Sequence, residues 1–104
     1  MANVVRAAIV QTEWTGDKES MIQKHIDYTH QAAEQGAQVM CFQELFDNAY
    51  FCQVQEAEHM DSAEPVPDGP TIQRMMQLAK ETEMVLVVPV YEKEDDGFLY
   101  NTAA

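Results

Sequence analysis

The sequence predicts an α/β fold, in which strands and helices alternate along a single chain of 104 residues. Short, almost purely apolar runs alternate with two longer segments of helical periodicity, and turn-forming residues separate them. The resulting order is strand-helix-strand-loop-helix-strand-strand. Two β-α-β passes of this kind imply parallel strands joined by right-handed crossovers.

The first pass begins with the apolar run Val4–Val10, which is typical of a strand covered on both faces. Asp17 is placed to cap the following helix, and Gly36 to end it in the left-handed conformation. Val39–Phe42 is then a short buried strand. The residues that recur at the spacing of one helical face are Met21, Ile22, His25, Ile26, Thr29, Ala32 and Ala33.

The second pass follows a long polar stretch, Gln53–Asp68, which is predicted to be a surface excursion with one helical turn inside it. Pro70 suits the first position of the next helix, where its missing N–H costs nothing. Val85–Val90 is predicted to be a single third strand. The apolar stripe of the second helix is predicted to consist of Ile72, Met75, Met76 and Ala79.

The end of the chain predicts a hairpin, with its turn at residues 95–97 and its second strand at Phe98–Ala104. A natural domain rarely ends inside an apolar strand without a polar tail. We therefore expect residues 1–104 to be the truncated amino-terminal segment of a single domain.

The charge of the chain disfavours several classes of partner. Six basic against eighteen acidic residues give a net charge of −12, which repels nucleic acid and anionic membrane surfaces and favours a cationic small-molecule substrate. No apolar run approaches the length of a membrane span. Cys41 and Cys52 lie among large apolar residues, which favours reduced thiols in a cytoplasmic protein over a disulfide.

Glu44 is the candidate catalytic residue. It directly follows the buried strand, and functional groups of parallel α/β sheets gather at the carboxyl ends of strands. A carboxylate that is partly desolvated there is an effective general base. A glutamate that is only solvated, or paired with a lysine, is the alternative, and position alone favours that alternative.

The string Phe42-Gln43-Glu44-Leu45-Phe46, followed by Tyr50-Phe51-Cys52-Gln53, resembles the first catalytic motif of the nitrilase superfamily of carbon–nitrogen hydrolases. It is most similar to the branch of N-carbamoylputrescine amidase and β-ureidopropionase. The resemblance extends in one register over the chain, from Ala7-Ala8-Ile9-Val10-Gln11 through Asp68-Gly69-Pro70-Thr71 to Tyr100-Asn101-Thr102-Ala103. It implies an α-β-β-α sandwich that assembles into homo-oligomers, and an enzyme that needs neither metal nor other cofactor.

The resemblance also implies the mechanism. A cysteine thiolate attacks the carbonyl carbon, a glutamate relays protons, and a lysine stabilises the oxyanion. Glu44 takes the place of the glutamate, whereas the lysine and the nucleophilic cysteine of the family lie beyond residue 104.

Cys52 matches a different cysteine of the family, and we expect it to be a packed small hydrophobe. Lys80 and Lys93 are expected to be solvated. His25, His30 and His59 are too dispersed for a metal site.

Two further residues are candidates for the pocket. Tyr50 follows Glu44 on the same loop and is predicted to bind the substrate, although a tyrosine that only packs the loop against the body is an equal alternative. Asn101 could hold the loop after Glu44 by side-chain hydrogen bonds, or it could be an ordinary strand residue. The loop lacks the glycine common in the family, so Asn48 is expected to take the positive φ value.

Two hypotheses for function follow. The first is the amino-terminal part of an amidohydrolase that cleaves an N-carbamoyl bond, with N-carbamoylputrescine or N-carbamoyl-β-alanine as substrate. This segment would be inactive by itself, because two of three catalytic groups are absent. The second is a small non-catalytic α/β module that binds or assembles with partners.

Overall fold

The computed structural model describes residues 3–53 and 57–104, and it forms the elements in the predicted order, except that the predicted third strand is divided into two. Residues 54–56 of the predicted polar excursion lie outside the described residues. Two short 3-10 helices, Phe51–Gln53 and Ala57–Ser62, lie in the excursion. The regular elements are β1 Ala7–Ile9, α1 Lys18–Glu34, β2 Val39–Cys41, α2 Pro70–Thr82, β3 Val85–Val87, β4 Pro89–Lys93 and β5 Leu99–Ala103.

Both helices begin where the sequence predicts, and α1 also ends there. The side chain of Asp17 caps α1, with its Oδ1 accepting from the N–H of Ser20 at 2.8 Å. Gly36 has a φ of +85° directly after that helix, a conformation that costs glycine little. Pro70 is the first residue of α2, and Glu83 ends it in the left-handed conformation. None of the helices in the described part of the chain is long and apolar enough to cross a membrane.

The three strands β1, β2 and β3 form a parallel sheet in which β2 is central. Ala8 and Leu86 both pair with Met40, so the three strands are in register at the middle of the sheet. The strands β4 and β5 form a separate antiparallel hairpin, in which Tyr91 pairs with Asn101. The α/β class and the parallel strands predicted from the sequence are therefore confirmed.

The prediction of one strand over Val85–Val90 is wrong, because the chain changes partners at Val88. The carbonyl of Val87 still accepts from the N–H of Phe42 after β2, at 3.0 Å. Val88 instead exchanges two hydrogen bonds with Ala104, at 2.9 and 3.0 Å. Pro89 has no N–H to continue the parallel ladder, so the chain leaves β2 and begins the hairpin there.

The expectation that the first strand is covered on both faces is also wrong for the described residues. Ala8, Val10, Met40 and Leu86 face the helices, whereas the opposite face leaves Ile9 87% exposed. On α2, Met76 was expected in the buried stripe but is 54% exposed, and the buried residues of that helix are Thr71, Ile72, Met75 and Leu78. The helices thus cover one side of the sheet.

The core lies between that side of the sheet and the helices. His25 of α1 is fully buried, and its ring lies 5.0 Å from Phe42 and 4.8 Å from Phe46 between centroids. Burial lowers the pKa of His25, even though its Nδ1 bonds the carbonyl oxygen of Met21 at 2.8 Å. The packed rings of His25, Phe42 and Phe46 hold the end of β2 and the turn that carry Glu44. The core residues are Ile22, Met40, Phe42, Phe46, Ile72, Met75, Leu78, Met84, Val88 and Val90.

Candidate active site

Glu44 lies three residues after the carboxyl end of β2, where the chain enters a tight turn. Its Oε1 accepts a hydrogen bond from the Nδ2 of Asn101 on β5, at 2.6 Å. The side chain is exposed, so the partial desolvation expected from the sequence is absent in the described chain. The hairpin thus supplies a directional polar partner to the carboxylate. Asn101 contacts Glu44 itself rather than only the loop behind it.

The turn after Glu44 is formed differently from the sequence prediction. Leu45, not Asn48, has the positive φ, at 50°. Leu45 and Phe46 are 1% and 0% exposed, so the turn must bend at Leu45 to bury both side chains at once. A left-handed residue other than glycine costs about 1 kcal/mol, which burial of these two side chains outweighs. Asn48 instead closes the turn with its N–H, 3.0 Å from the carbonyl oxygen of Leu45.

Tyr50 lies on the same loop and interacts electrostatically with Glu44. The carboxylate of Glu44 is the largest influence that raises the pKa of Tyr50, followed by the charge of Cys52 and a hydrogen bond with it. Tyr50 is 52% exposed, so it does not simply pack the loop against the body of the protein. The structure therefore brings the two sequence-predicted site residues, Glu44 and Tyr50, into one neighbourhood.

The expectation that Cys52 is a packed hydrophobe is wrong, since its side chain is exposed. It lies on the short 3-10 helix next to Phe51, and Phe51 supplies the packing there by stacking on His59 at 5.1 Å between ring centroids. Cys41 is half-buried, and the two cysteines are unbridged. Within residues 3–53 and 57–104, no three His, Cys, Asp or Glu side chains are arranged to hold a metal ion.

Sequence reasoning missed a charged group beside the candidate site, here called the Lys18 cluster and consisting of Lys18, Asp47 and Glu64. Lys18 Nζ lies 3.3 Å from Asp47 Oδ2 and also contacts Glu64 Oε2. Asp47 is three residues after Glu44 and is 2% exposed. Glu64 accepts hydrogen bonds from the backbone and hydroxyl of Thr71, and so caps α2.

The three charges of the Lys18 cluster are coupled. Burial opposes the charge of Lys18, but its contacts with Glu64 and Asp47 prevail and raise its pKa above the usual value. Burial raises the pKa of Asp47, and the attraction of Lys18 only partly offsets it. Burial also disfavours the charge of Glu64, yet hydrogen bonds from Lys18 and Thr71 lower its pKa. Lys18 and Glu64 are therefore the firmly ionised pair, and Asp47 is the weaker acid.

No sequence signal marks the Lys18 cluster, because its members come from three separate segments. Lys18 directly follows the helix cap, Asp47 lies in the loop after β2, and Glu64 lies at the end of the polar excursion. Each is an ordinary charged residue in its own segment. The three meet only in the folded chain, where the start of α1, the loop after β2 and the segment before α2 lie together.

Taken together, the parallel sheet, its helices and a held glutamate at a strand end define an α/β protein with a candidate hydrolytic carboxylate. Residues 6–104 match the family model described as carbon-nitrogen hydrolase. The chain therefore belongs to the carbon–nitrogen hydrolase family, and the resemblance seen in the sequence is confirmed.

Individual relatives agree with this assignment. The chain is 36% identical over 101 residues to an N-carbamoylputrescine amidase of Solanum lycopersicum, which covers 97% of this chain and 33% of that protein. An N-carbamoylputrescine amidase of Oryza sativa subsp. japonica is 34% identical over 100 residues, covering 96% and 33%. The crystal structure of a carbon-nitrogen hydrolase from Helicobacter pylori shares the fold, with a TM-score of 0.81 at 22% identity over 95% of this chain and 34% of that one. The chain spans about a third of the length of the curated relatives it matches.

Proposed function

We propose that this chain is the amino-terminal segment of a longer amidohydrolase, in which Glu44 is the general base for cleavage of a carbon–nitrogen bond. The observation that carries the proposal is the placement of Glu44 in a chain of this family. Its carboxylate emerges at the end of the central strand and is held by Asn101 at 2.6 Å. A base must be fixed in direction before it can take a proton efficiently, and this contact fixes it.

In the proposed reaction, a cysteine and a lysine from outside these 104 residues complete the site. Glu44 accepts the thiol proton as the thiolate attacks the carbamoyl carbon, and then passes a proton to the departing ammonia. Water, activated by the same carboxylate, hydrolyses the thioester-like intermediate, and the resulting carbamic acid loses carbon dioxide. The Glu44 carboxyl returns the proton taken from water to the departing sulfur, so the free thiol is regenerated and the amine is released. No oxidant and no co-reactant other than water is needed.

The proposed substrate is a small N-carbamoyl compound, and N-carbamoylputrescine is the first choice. The amidases of Solanum lycopersicum and Oryza sativa subsp. japonica, to which this chain is similar, carry that substrate in their names. A net charge of −12 favours a cationic amine over the carboxylate of N-carbamoyl-β-alanine. Tyr50, exposed beside Glu44, is proposed to donate its hydroxyl to the carbamoyl group or to accept from the distal amine.

The setting of the enzyme is also part of the proposal. We propose a cytoplasmic enzyme that forms homo-oligomers and uses no metal or organic cofactor. Nucleic acids and membranes are not proposed as partners, because the acidic surface repels both.

The test is ammonia release by the full-length protein, measured separately with N-carbamoylputrescine and N-carbamoyl-β-alanine. We expect faster turnover at low concentration of the cationic substrate, and no turnover by residues 1–104 alone. If neither compound releases ammonia, the proposed reaction is refuted. Hydrolysis by the purified 104-residue chain, insensitive to Glu44→Gln, would refute the assignment of Glu44 and of the missing groups.

A further inference from the structure

The loop that carries Glu44 is joined to the rest of the molecule through a buried aspartate. Asp47 is 2% exposed, and Lys18 Nζ lies 3.3 Å from its carboxylate. Asp47 lies inside the turn that directly follows Glu44, and the N–H of Asn48 closes that turn on the carbonyl oxygen of Leu45, at 3.0 Å. A displacement of Asp47 must therefore move Glu44 as well, because the turn between them is short and hydrogen-bonded.

The same lysine reaches the hairpin that holds the Glu44 carboxylate. Lys18 contacts Glu64, and the backbone N–H of Glu64 donates to the carbonyl of Tyr91 on β4 at 3.0 Å. Tyr91 is the register partner of Asn101 on β5. Asn101 in turn donates to Glu44. The contacts therefore form a closed ring that passes through Glu44 at both its backbone and its carboxylate.

From this ring we propose that Lys18 is a positioning residue for the reaction, which holds the backbone of the Glu44 loop and the Asn101 hairpin at a fixed separation. This inference rests on the proposed function for its kinetic consequences, although its structural consequence can be measured without them. Lys18 contacts Asp47, Glu64 and, at 3.3 Å, the carbonyl oxygen of Ser62, so within the described residues it acts on Glu44 and Asn101 only indirectly.

The charge of Lys18, rather than its bulk, is the part that matters. Its ammonium lies between two carboxylates, Asp47 and Glu64, from different segments. Without the cation, these carboxylates would be partly buried and would repel each other, so the loop and the excursion would separate. A methionine keeps the length and the apolar stem but cannot bridge them. An arginine keeps the charge and can bridge two carboxylates.

The experiment uses the full-length protein with Lys18→Met, Lys18→Arg and, as a matched control, Lys80→Met at an exposed position of α2. Turnover of N-carbamoylputrescine gives kcat and KM, and crystal structures give the distance from Glu44 Oε1 to Asn101 Nδ2. We expect Lys18→Met to lower kcat about 10- to 100-fold with KM within about twofold. We also expect the 2.6 Å contact to be lost. Lys18→Arg should recover most of kcat, and Lys80→Met should change neither quantity.

The inference would be overturned if Lys18→Met folds and keeps either the parental kcat or the Glu44–Asn101 contact. It would also be overturned if Lys18→Arg lowers kcat as much as Lys18→Met does. If Lys18→Met does not fold, Asp47→Asn replaces it, because that change removes the charge but keeps the shape. Asp47→Asn with an unchanged contact would overturn the inference equally. If the parent protein releases no ammonia, the proposed function fails, while the crystal structures still decide whether Lys18 positions Glu44.

Discussion

Removal of the amide that holds Glu44 should slow the reaction without weakening substrate binding. In the described chain, Asn101 Nδ2 donates to Glu44 Oε1 at 2.6 Å, and Asn101 is itself exposed on β5. Asn101→Ala deletes the donor and leaves the backbone pairing with Tyr91 intact. The expected consequence is a Glu44 carboxylate that samples several rotamers, of which only some are productive.

The size of this effect follows from the kind of hydrogen bond that is lost. A hydrogen bond to a charged group is worth about 1.5–3 kcal/mol. Because Glu44 is exposed in the described chain, water competes for it, so the lower end applies. About 1.5 kcal/mol corresponds to roughly a tenfold decrease in kcat. Asn101→Asp should cost more at neutral pH, about 100-fold, because a second carboxylate would face Glu44.

The assay is steady-state hydrolysis of N-carbamoylputrescine by the full-length protein between pH 5 and 9, with Asn3→Ala as a control at an exposed position. The loss in Asn101→Asp should shrink as the pH falls, because a protonated carboxyl can donate to Glu44 as the amide does. Equal kcat in Asn101→Ala and the parent would refute the reasoning. An Asn101→Asp deficit that does not depend on pH would refute the electrostatic part.

Two further predictions concern titrating groups near the site. Glu44→Gln should lower the pKa of Tyr50, because the carboxylate of Glu44 is the largest influence that raises it; a tyrosine absorbance titration, with Tyr50→Phe to assign the signal, measures this, and an unchanged Tyr50 titration would contradict it. The pKa of His25 lies below its ordinary value of 6.5 because of burial, so its contribution to stability is fully present above that pH and lost as the pH falls below it. His25→Leu should remove this acid sensitivity, by up to about 1.4 kcal/mol per pH unit in denaturant unfolding, and an identical pH dependence in parent and variant would show otherwise.

The elements of the fold could be predicted because their signals are local. Asp17, Gly36 and Pro70 mark helix boundaries by their own backbone and side-chain chemistry, and each lies where that chemistry requires. The division of the third strand at Val88 could not be predicted in the same way. It depends on the pairing of Val88 with Ala104, sixteen positions later, and an apolar run carries no record of which strand it will pair with.

In the candidate site too, local features could be predicted from the sequence and long-range contacts could not. Glu44 and Tyr50 lie on one loop, so their proximity could be expected from the sequence. A hydrogen bond from Asn101 to the loop after Glu44 was one of two alternatives, but the bond to the Glu44 carboxylate itself was not predicted. Lys18 was missed because its partners are distant in sequence. Leu45 was missed as the left-handed residue because the turn is set by burial of two side chains rather than by turn propensity.

The most direct test of the central claim is the turnover of full-length Glu44→Gln compared with Glu34→Gln, an exposed glutamate at the end of α1. Glutamine keeps the shape and one acceptor oxygen but cannot take a proton. If Glu44 is the general base, kcat for N-carbamoylputrescine falls by about 100- to 10,000-fold in Glu44→Gln and stays near the parent value in Glu34→Gln. A Glu44→Gln protein that is folded and as active as Glu34→Gln would contradict the account.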